Sequence, residues 1–184
     1  MEAIKIGDSV PAPLLTLIVG PSEEGKEVGK TKKQFAERHH LYHNFWTQLL
    51  ELSKSKTKLH ENISPSYYHW IGTSAGKHGL AYNYTVRQNE AIVELYIDRG
   101  KDRDDENKKI FDALHKNKDE IENKFGDELD WQRLENKRAC RICKTVEEGG
   151  YRDEEKWQEI FEKMIDTMIR LDKAFRPYIT KMNI

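Results

Sequence analysis

The residues best equipped for chemistry lie between Tyr67 and Arg103. Ser74-Ala75-Gly76-Lys77-His78-Gly79 sets small residues, which leave backbone N–H groups accessible, beside a cation and an imidazole. Such a combination suits a phosphate group. Arg87, Arg99, Lys101 and Arg103 follow in the same stretch, and Tyr67, Tyr68, His69 and Trp70 precede it. The rings offer faces on which an unpaired base can stack. Lys77, His78, Arg87, Arg99 and Arg103 as contacts, with Tyr68 and Trp70 as stacking groups, point to DNA or RNA as a partner. The plainer account is that the glycines serve a wide hairpin turn and the aromatics fill a core.

Other spacings fail on inspection. Leu14–Phe35 runs from an apolar segment through a glycine-bearing stretch with lysines toward a helix, the context of a phosphate-binding loop. However, Glu27 follows Gly25-Lys26 where a magnesium-binding Ser or Thr belongs, and Glu24 replaces the first glycine before Gly29-Lys30-Thr31. His39 and His43 are one helical turn apart, but no HExxH and no carboxylate partner completes a metal set. Cys140 and Cys143 form a single CxxC in an alternating run, where positions three apart face opposite sides of a sheet. They read as two reduced cysteines. Glu135-Asn136-Lys137, with Asp130 upstream, echoes the carboxylate and lysine set of magnesium-dependent nucleases. That Glu-x-Lys falls on an expected hairpin turn, and Asp130 is too near in sequence to lie on the neighbouring strand. No Gly-x-Ser-x-Gly elbow and no Cys-His-Asn arrangement is present. No catalytic residue, metal or cofactor is assigned.

The elements that must position these residues are legible from periodicity. The chain has 184 residues, 34% charged and 37% hydrophobic, with a net charge of −1, so any basic surface has to be local. No basic leader with an apolar core and no membrane-length apolar run is present, which leads to the expectation of a soluble cytoplasmic chain. Residues 1–30 read as an extended segment or linker, with Pro11 and Pro13 opposing helix and Gly20–Gly29 a loop. A single domain is expected over 31–184.

Thr31–Leu52 is predicted helical, with Phe35, Tyr42, Phe45, Trp46, Leu49 and Leu50 on one face. Three strand-like runs follow within Tyr67–Asp98, and short turns make them an antiparallel meander. Asp102–Phe125 reads as one helix capped by Asp104 or Asp105 and stopped by Gly126. Leu129–Leu134 and Arg138–Val146 read as a second hairpin, and a last helix runs from Asp153 to near Pro177. The fold class is α+β, in the order α-β-β-β-α-β-β-α, with helices on the apolar face of about five antiparallel strands. Its helical stripes also suit a partner protein or a homodimer.

Several stretches together resemble a known family: FWTQLLE, HWIG, AIVELYIDRG leading into the second helix, and the closing EEKWQEIFEKMIDTMIRLDKAFRPYI. It is an uncharacterised domain family of bacteria and archaea, often the C-terminal part of proteins whose N-terminal half is a restriction-endonuclease-like nuclease. The resemblance covers about Gln34–Ile179, and IGDSVPAP resembles the junction after the nuclease half. It implies a stand-alone or truncated version, with a role in recognition or assembly beside a nuclease domain or subunit. It supplies no catalytic motif.

Overall fold

Five strands carry the fold, built from the two local antiparallel units the sequence encodes, with the second docked on the first through its later strand. The computed structural model describes residues 2–4, 12–14 and 23–183, with side chains from Lys33 to Asn183. Strands β3 (Trp70–Ser74), β4 (Leu80–Val86) and β5 (Ala91–Ile97) form the expected antiparallel meander. Strand β7 (Cys140–Val146) docks antiparallel on β5, and the short β6 (Asp130–Gln132) adds outside it. The order is β3-β4-β5-β7-β6, all antiparallel.

The alternation decides which residues point where. Tyr82, Tyr84, Val93, Leu95, Ile97, Cys140 and Ile142 are fully buried on the helix side. Each large side chain moved from water into this layer contributes roughly 1.5–3 kcal/mol. Trp70, Thr85 and Ile92 share one row of the opposite face. Gly72, Asn83, Glu94, Cys143 and Asp130 form the next row, and Ala81, Tyr96, Arg141 and Gln132 the third.

The chain divides at Glu37–Arg38. In the first unit, Glu2–Ile4 (β1) pairs antiparallel with Ala12–Leu14 (β2). Residues 15–19, the rest of the extended run expected there, lie outside the described residues. Helix α1 (Glu23–Lys54) begins eight residues before the expected start at Thr31, and takes in Gly25 and Gly29. The second unit holds the helix layer: α2 (Asp104–His115), α3 (Lys118–Phe125) and α4 (Trp157–Lys181). Helix α4 contacts β4, β5 and β7, and α2 contacts β5 and β7. Phe45 of α1 stacks edge-on against Trp157 and Phe161 of α4.

Several expectations need correction. The first strand begins at Trp70, not Tyr67. Asp102–Phe125 is two helices, because Asn117 turns its side-chain amide back onto the Ala113 carbonyl at 3.1 Å. The apolar positions Leu114 and Ile121 stand seven apart and stay in phase, which hides the break. Arg103 occupies the α2 cap position and makes no side-chain cap bond, while Asp104 and Asp105 fall in the first turn. Helix α4 runs past Pro177 to Lys181, since docking of the buried Ile179 offsets the lost backbone bond. Phe35 is 52% exposed and lies outside the buried stripe of α1.

Candidate nucleic-acid interface

The predicted contact residues separate into two groups, one at each end of β4. Its seven residues span about 20 Å. At one end lie Lys77 and His78 in the β3–β4 turn, with Arg99 and Arg103 in the loop leaving β5. The turn is closed by the Leu80 N–H donating to Lys77 O at 3.1 Å, with Gly76 and Gly79 at positive φ. Arg99 lies against Gly79 so closely that a Cβ there would stand 2.5 Å from its Cγ. Arg99 and Arg103 share the carboxylate of Glu106, Arg99 at 3.0 Å. His78 is exposed, and neither it nor Lys77 has an ion pair among the described residues.

Arg87, Tyr68 and Trp70 lie at the other end. Trp70 is opposite Thr85 in the register, and the Val86 N–H donates to His69 O at 2.8 Å. Tyr68 and Trp70 are 67% and 49% exposed, so they are surface groups, while Tyr82 and Tyr84 fill the core. Tyr67 is half exposed and stacks on His43, with ring centroids 4.6 Å apart. Arg87 pairs with Glu90 at 2.6 Å.

The structure adds residues that the sequence reading missed. A cleft of about 360 Å³ is lined by Arg87, Tyr96, Asp98, Gln132, Lys137, Arg138 and Arg141, among others. Of the described lining residues only Asp98 is acidic. Below it, Glu94 and Asn83 are almost fully buried and hydrogen-bond each other at 3.3 Å. Glu94 also reaches Arg141 Nη1 at 3.4 Å, and Arg141 Nε donates to Gln132 Oε1 at 2.6 Å. The guanidinium is thereby oriented from two sides, and its remaining N–H groups can meet an anion. Arg138 donates to Asp98 at 2.6 Å. Burial works against the charged form of Asp98, but the bonds from Arg138 and the Gly100 N–H outweigh it and hold its carboxyl below the usual range. Burial, with Asp98 and Glu94 nearby, pushes the Tyr96 phenol up, so it stays a neutral donor.

Two residues of α2 fix the loops that carry these cations. Asn107, fully buried, accepts from the Arg99 N–H at 2.9 Å and donates to Arg138 O at 3.2 Å. The Lys108 ammonium faces the carbonyls of Arg133, Leu134 and Lys137 at 2.6, 2.9 and 2.8 Å, and that of Ala139 at 3.4 Å. This cage holds the connector between β6 and β7, whose Leu134 adopts φ 55°. Little in the sequence announces it, since a lysine in an exposed-looking helical turn ordinarily reads as solvated. Arg141 was legible in principle, as the outward residue between the inward Cys140 and Ile142.

The other candidates take structural places. Gly25-Lys26 and Gly29-Lys30 lie within helix α1 and cannot form a phosphate-cradling loop. Glu135 and Lys137 lie in the β6–β7 connector, with Glu135 bound to Arg133, while Asp130 is on β6 opposite Cys143. Cys140 and Cys143 are free, buried and on opposite faces. Burial pushes the Cys143 thiol up to about 12, so it stays protonated and a poor nucleophile. Among the described residues, no three His, Cys, Asp or Glu side chains are placed to hold a metal ion. Nor is any helix among them long and apolar enough to cross a membrane.

Residues 41–179 match the family model described as "Domain of unknown function (DUF4268)". The chain belongs to this family. The match spans α1 from Leu41, the whole five-stranded sheet and α4 up to Ile179, so the cleft and both groups of predicted contact residues lie inside the DUF4268 domain. No curated protein and no solved structure matches the chain significantly.

Proposed function

We propose that this DUF4268 domain is a non-catalytic nucleic-acid recognition module working within a nuclease-linked system. The observation that carries the reading is the cleft lined by Arg87, Lys137, Arg138 and Arg141, in which Asp98 is the one acidic lining residue described and Glu90 and Glu94 pair with Arg87 and Arg141 from outside the lining. On a chain of net charge −1, such a concentration of cations is a local device. Arg87, Arg138 and Arg141 are paired with Glu90, Asp98 and Glu94, but each guanidinium carries five N–H donors and retains some for a phosphate. Lys77 and His78 stand beyond the end of the sheet, beside Arg99 and Arg103, which share Glu106. The link to a nuclease domain or subunit rests on the resemblance of the FWTQLLE, HWIG and AIVELYIDRG stretches.

The rival reading, a protein-interaction or dimerisation module, relied on the apolar stripes of the first and last helices. Those of α1 beyond Tyr42 and of α4 are consumed by the chain's own core. The experiment is fluorescence anisotropy with labelled DNA and RNA at ~50 and ~200 mM salt, with the Lys77→Glu/Arg87→Glu double variant alongside. Neutralising four phosphates of a single strand should weaken binding roughly 50-fold across that salt range. The variant, which reverses one charge at each end of β4, should bind at least tenfold more weakly. Absence of binding at low salt overturns the reading and leaves a protein partner as the ligand.

A further inference from the structure

We infer that the ligand is a single strand lying across the sheet face opposite the helices, with unpaired bases stacked at Trp70 and Tyr96. The inference rests on the nucleic-acid reading above and goes further in naming strandedness and path. Trp70 and Tyr96 are on the same face: Trp70 is opposite Thr85, Thr85 opposite Ile92, and Tyr96 lies four residues beyond Ile92. Two strand spacings and four residues separate them, or about 16 Å between Cα atoms. That is the separation of bases a few nucleotides apart along one strand. Arg87 lies near the Trp70 end, and Arg138 and Arg141 near the Tyr96 end, so cations stand at both ends of the path between the rings, above a middle in which Ile92, Asn83 and Glu94 are buried.

Groove cations that follow a backbone, combined with aromatic side chains under successive bases, are the requirements for binding single strands without base pairing. The cleft volume of about 360 Å³ favours the same ligand. It has room for unpaired nucleotides, whereas bases in a duplex are held in the stack and cannot reach Tyr96 without being flipped out. Gln132 and the fixed Arg141, flanking Tyr96, then offer an amide and a guanidinium to a base edge or phosphate. Gly72 supports the arrangement from below: a Cβ there would stand 2.0 Å from Asn83 Oδ1, so only glycine lets Asn83 lie flat beside Glu94 and under the cleft.

The test titrates the full chain with a labelled oligothymidine and with a hairpin duplex of similar length, following anisotropy and tryptophan fluorescence. The single strand should bind at least tenfold more tightly. It should quench a part of the emission that disappears in Trp70→Ala, because Trp70 is about half exposed. Trp70→Ala and Tyr96→Ala should each weaken single-strand binding between about fivefold and 150-fold, the range for loss of one stacked base. Thermal melts verify that the variants fold, and Trp70→Ala alone suffices if Tyr96→Ala does not. Equal binding of strand and duplex, or full affinity in folded Trp70→Ala, overturns the sheet-face path while leaving nucleic-acid recognition standing on backbone contacts. Binding of neither overturns both.

Discussion

The indole N–H of Trp46 donates to the backbone carbonyl of Tyr68 at 2.8 Å, joining the C-terminal third of α1 to the residue two before β3. Trp46 is fully buried and Tyr68 is 67% exposed, so a core side chain fixes the backbone from which the surface aromatics project. Trp46→Phe keeps an aromatic ring in the site and removes the donor. It should lower stability by about 1–3 kcal/mol, from the orphaned carbonyl and the lost volume. Tyr68→Ala should stay within about 0.5 kcal/mol of the parent, as a surface change. Urea unfolding of both variants checks the contrast, and equal losses would contradict it.

Lys108 gives a second prediction. Its ammonium bonds the carbonyls of Arg133, Leu134 and Lys137, of which Leu134 O also accepts the Lys137 N–H. Lys108→Met retains the aliphatic stem and leaves the carbonyls of Arg133 and Lys137 without their donor, costing about 2 kcal/mol or more. Lys108→Arg should not rescue, because a planar guanidinium cannot address a cage built round one tetrahedral nitrogen. The affected region is specific: hydrogen exchange should accelerate at the Lys137 amide, which closes the connector on Leu134 O. Unchanged exchange there would rule out the cage in solution.

The sheet and its helices were readable because single periodicities dominate them. Leu80-Tyr82-Tyr84-Val86 and Ala91-Val93-Leu95-Ile97 alternate cleanly, and the stripe Trp157-Ile160-Phe161-Met164-Met168-Leu171-Phe175 keeps helical phase. The break at Asn117 was hidden because Leu114 and Ile121 remain in phase across it. The site was only half readable. Exposed Tyr68 and Trp70 have the same composition as buried strand aromatics, and only the register shows that Trp70 faces away from the helices. Arg87 and Lys77 are close in sequence yet stand at opposite ends of β4. The Arg138–Asp98 pair spans 40 residues and depends on β7 docking beside β5, a choice that local pattern does not specify.

His60 sets a pH dependence. It is 1% exposed, its Nε2 lies 3.2 Å from Tyr82 O, and its Nδ1 is buried without a partner. Neutral imidazole with the proton on Nε2 suits this site, while a second proton at Nδ1 would find no acceptor. Burial lowers its pKa to about 4, against a smaller opposing effect of the Tyr82 bond. The unfolded chain, near 6.5, therefore binds more protons between these values. The contribution is full above about pH 6.5 and is lost as pH falls toward 4, approaching roughly 3 kcal/mol, with about 2 kcal/mol gone by pH 5. Chemical denaturation at pH 7 and pH 5 should show this loss in the parent and a much smaller one in His60→Gln. Equal losses would assign the effect to other groups.

Gly150 and Gly72 separate two kinds of steric demand. A Cβ on Gly150 would stand 2.2 Å from Arg87 O and 2.5 Å from the Gln88 carbonyl carbon, and both are backbone atoms of the β4–β5 hairpin. The Tyr151 N–H also donates to Arg87 O at 2.9 Å, so the hairpin cannot retreat without breaking the bond that ties it to the start of the α4 segment. Gly150→Ala should cost about 3 kcal/mol or more, beyond the usual range for overpacking. On Gly72 the conflict is with Asn83 Oδ1 at 2.0 Å, the end of a side chain that can rotate. Gly72→Ala should therefore cost less, about 1–2 kcal/mol, while turning Asn83 away from Glu94 and loosening Arg141. Paired thermal melts and single-strand titrations distinguish them: Gly150→Ala should lose stability first, and Gly72→Ala should lose affinity out of proportion to its stability. The reverse order would mean that the hairpin yields more readily than the Asn83 side chain.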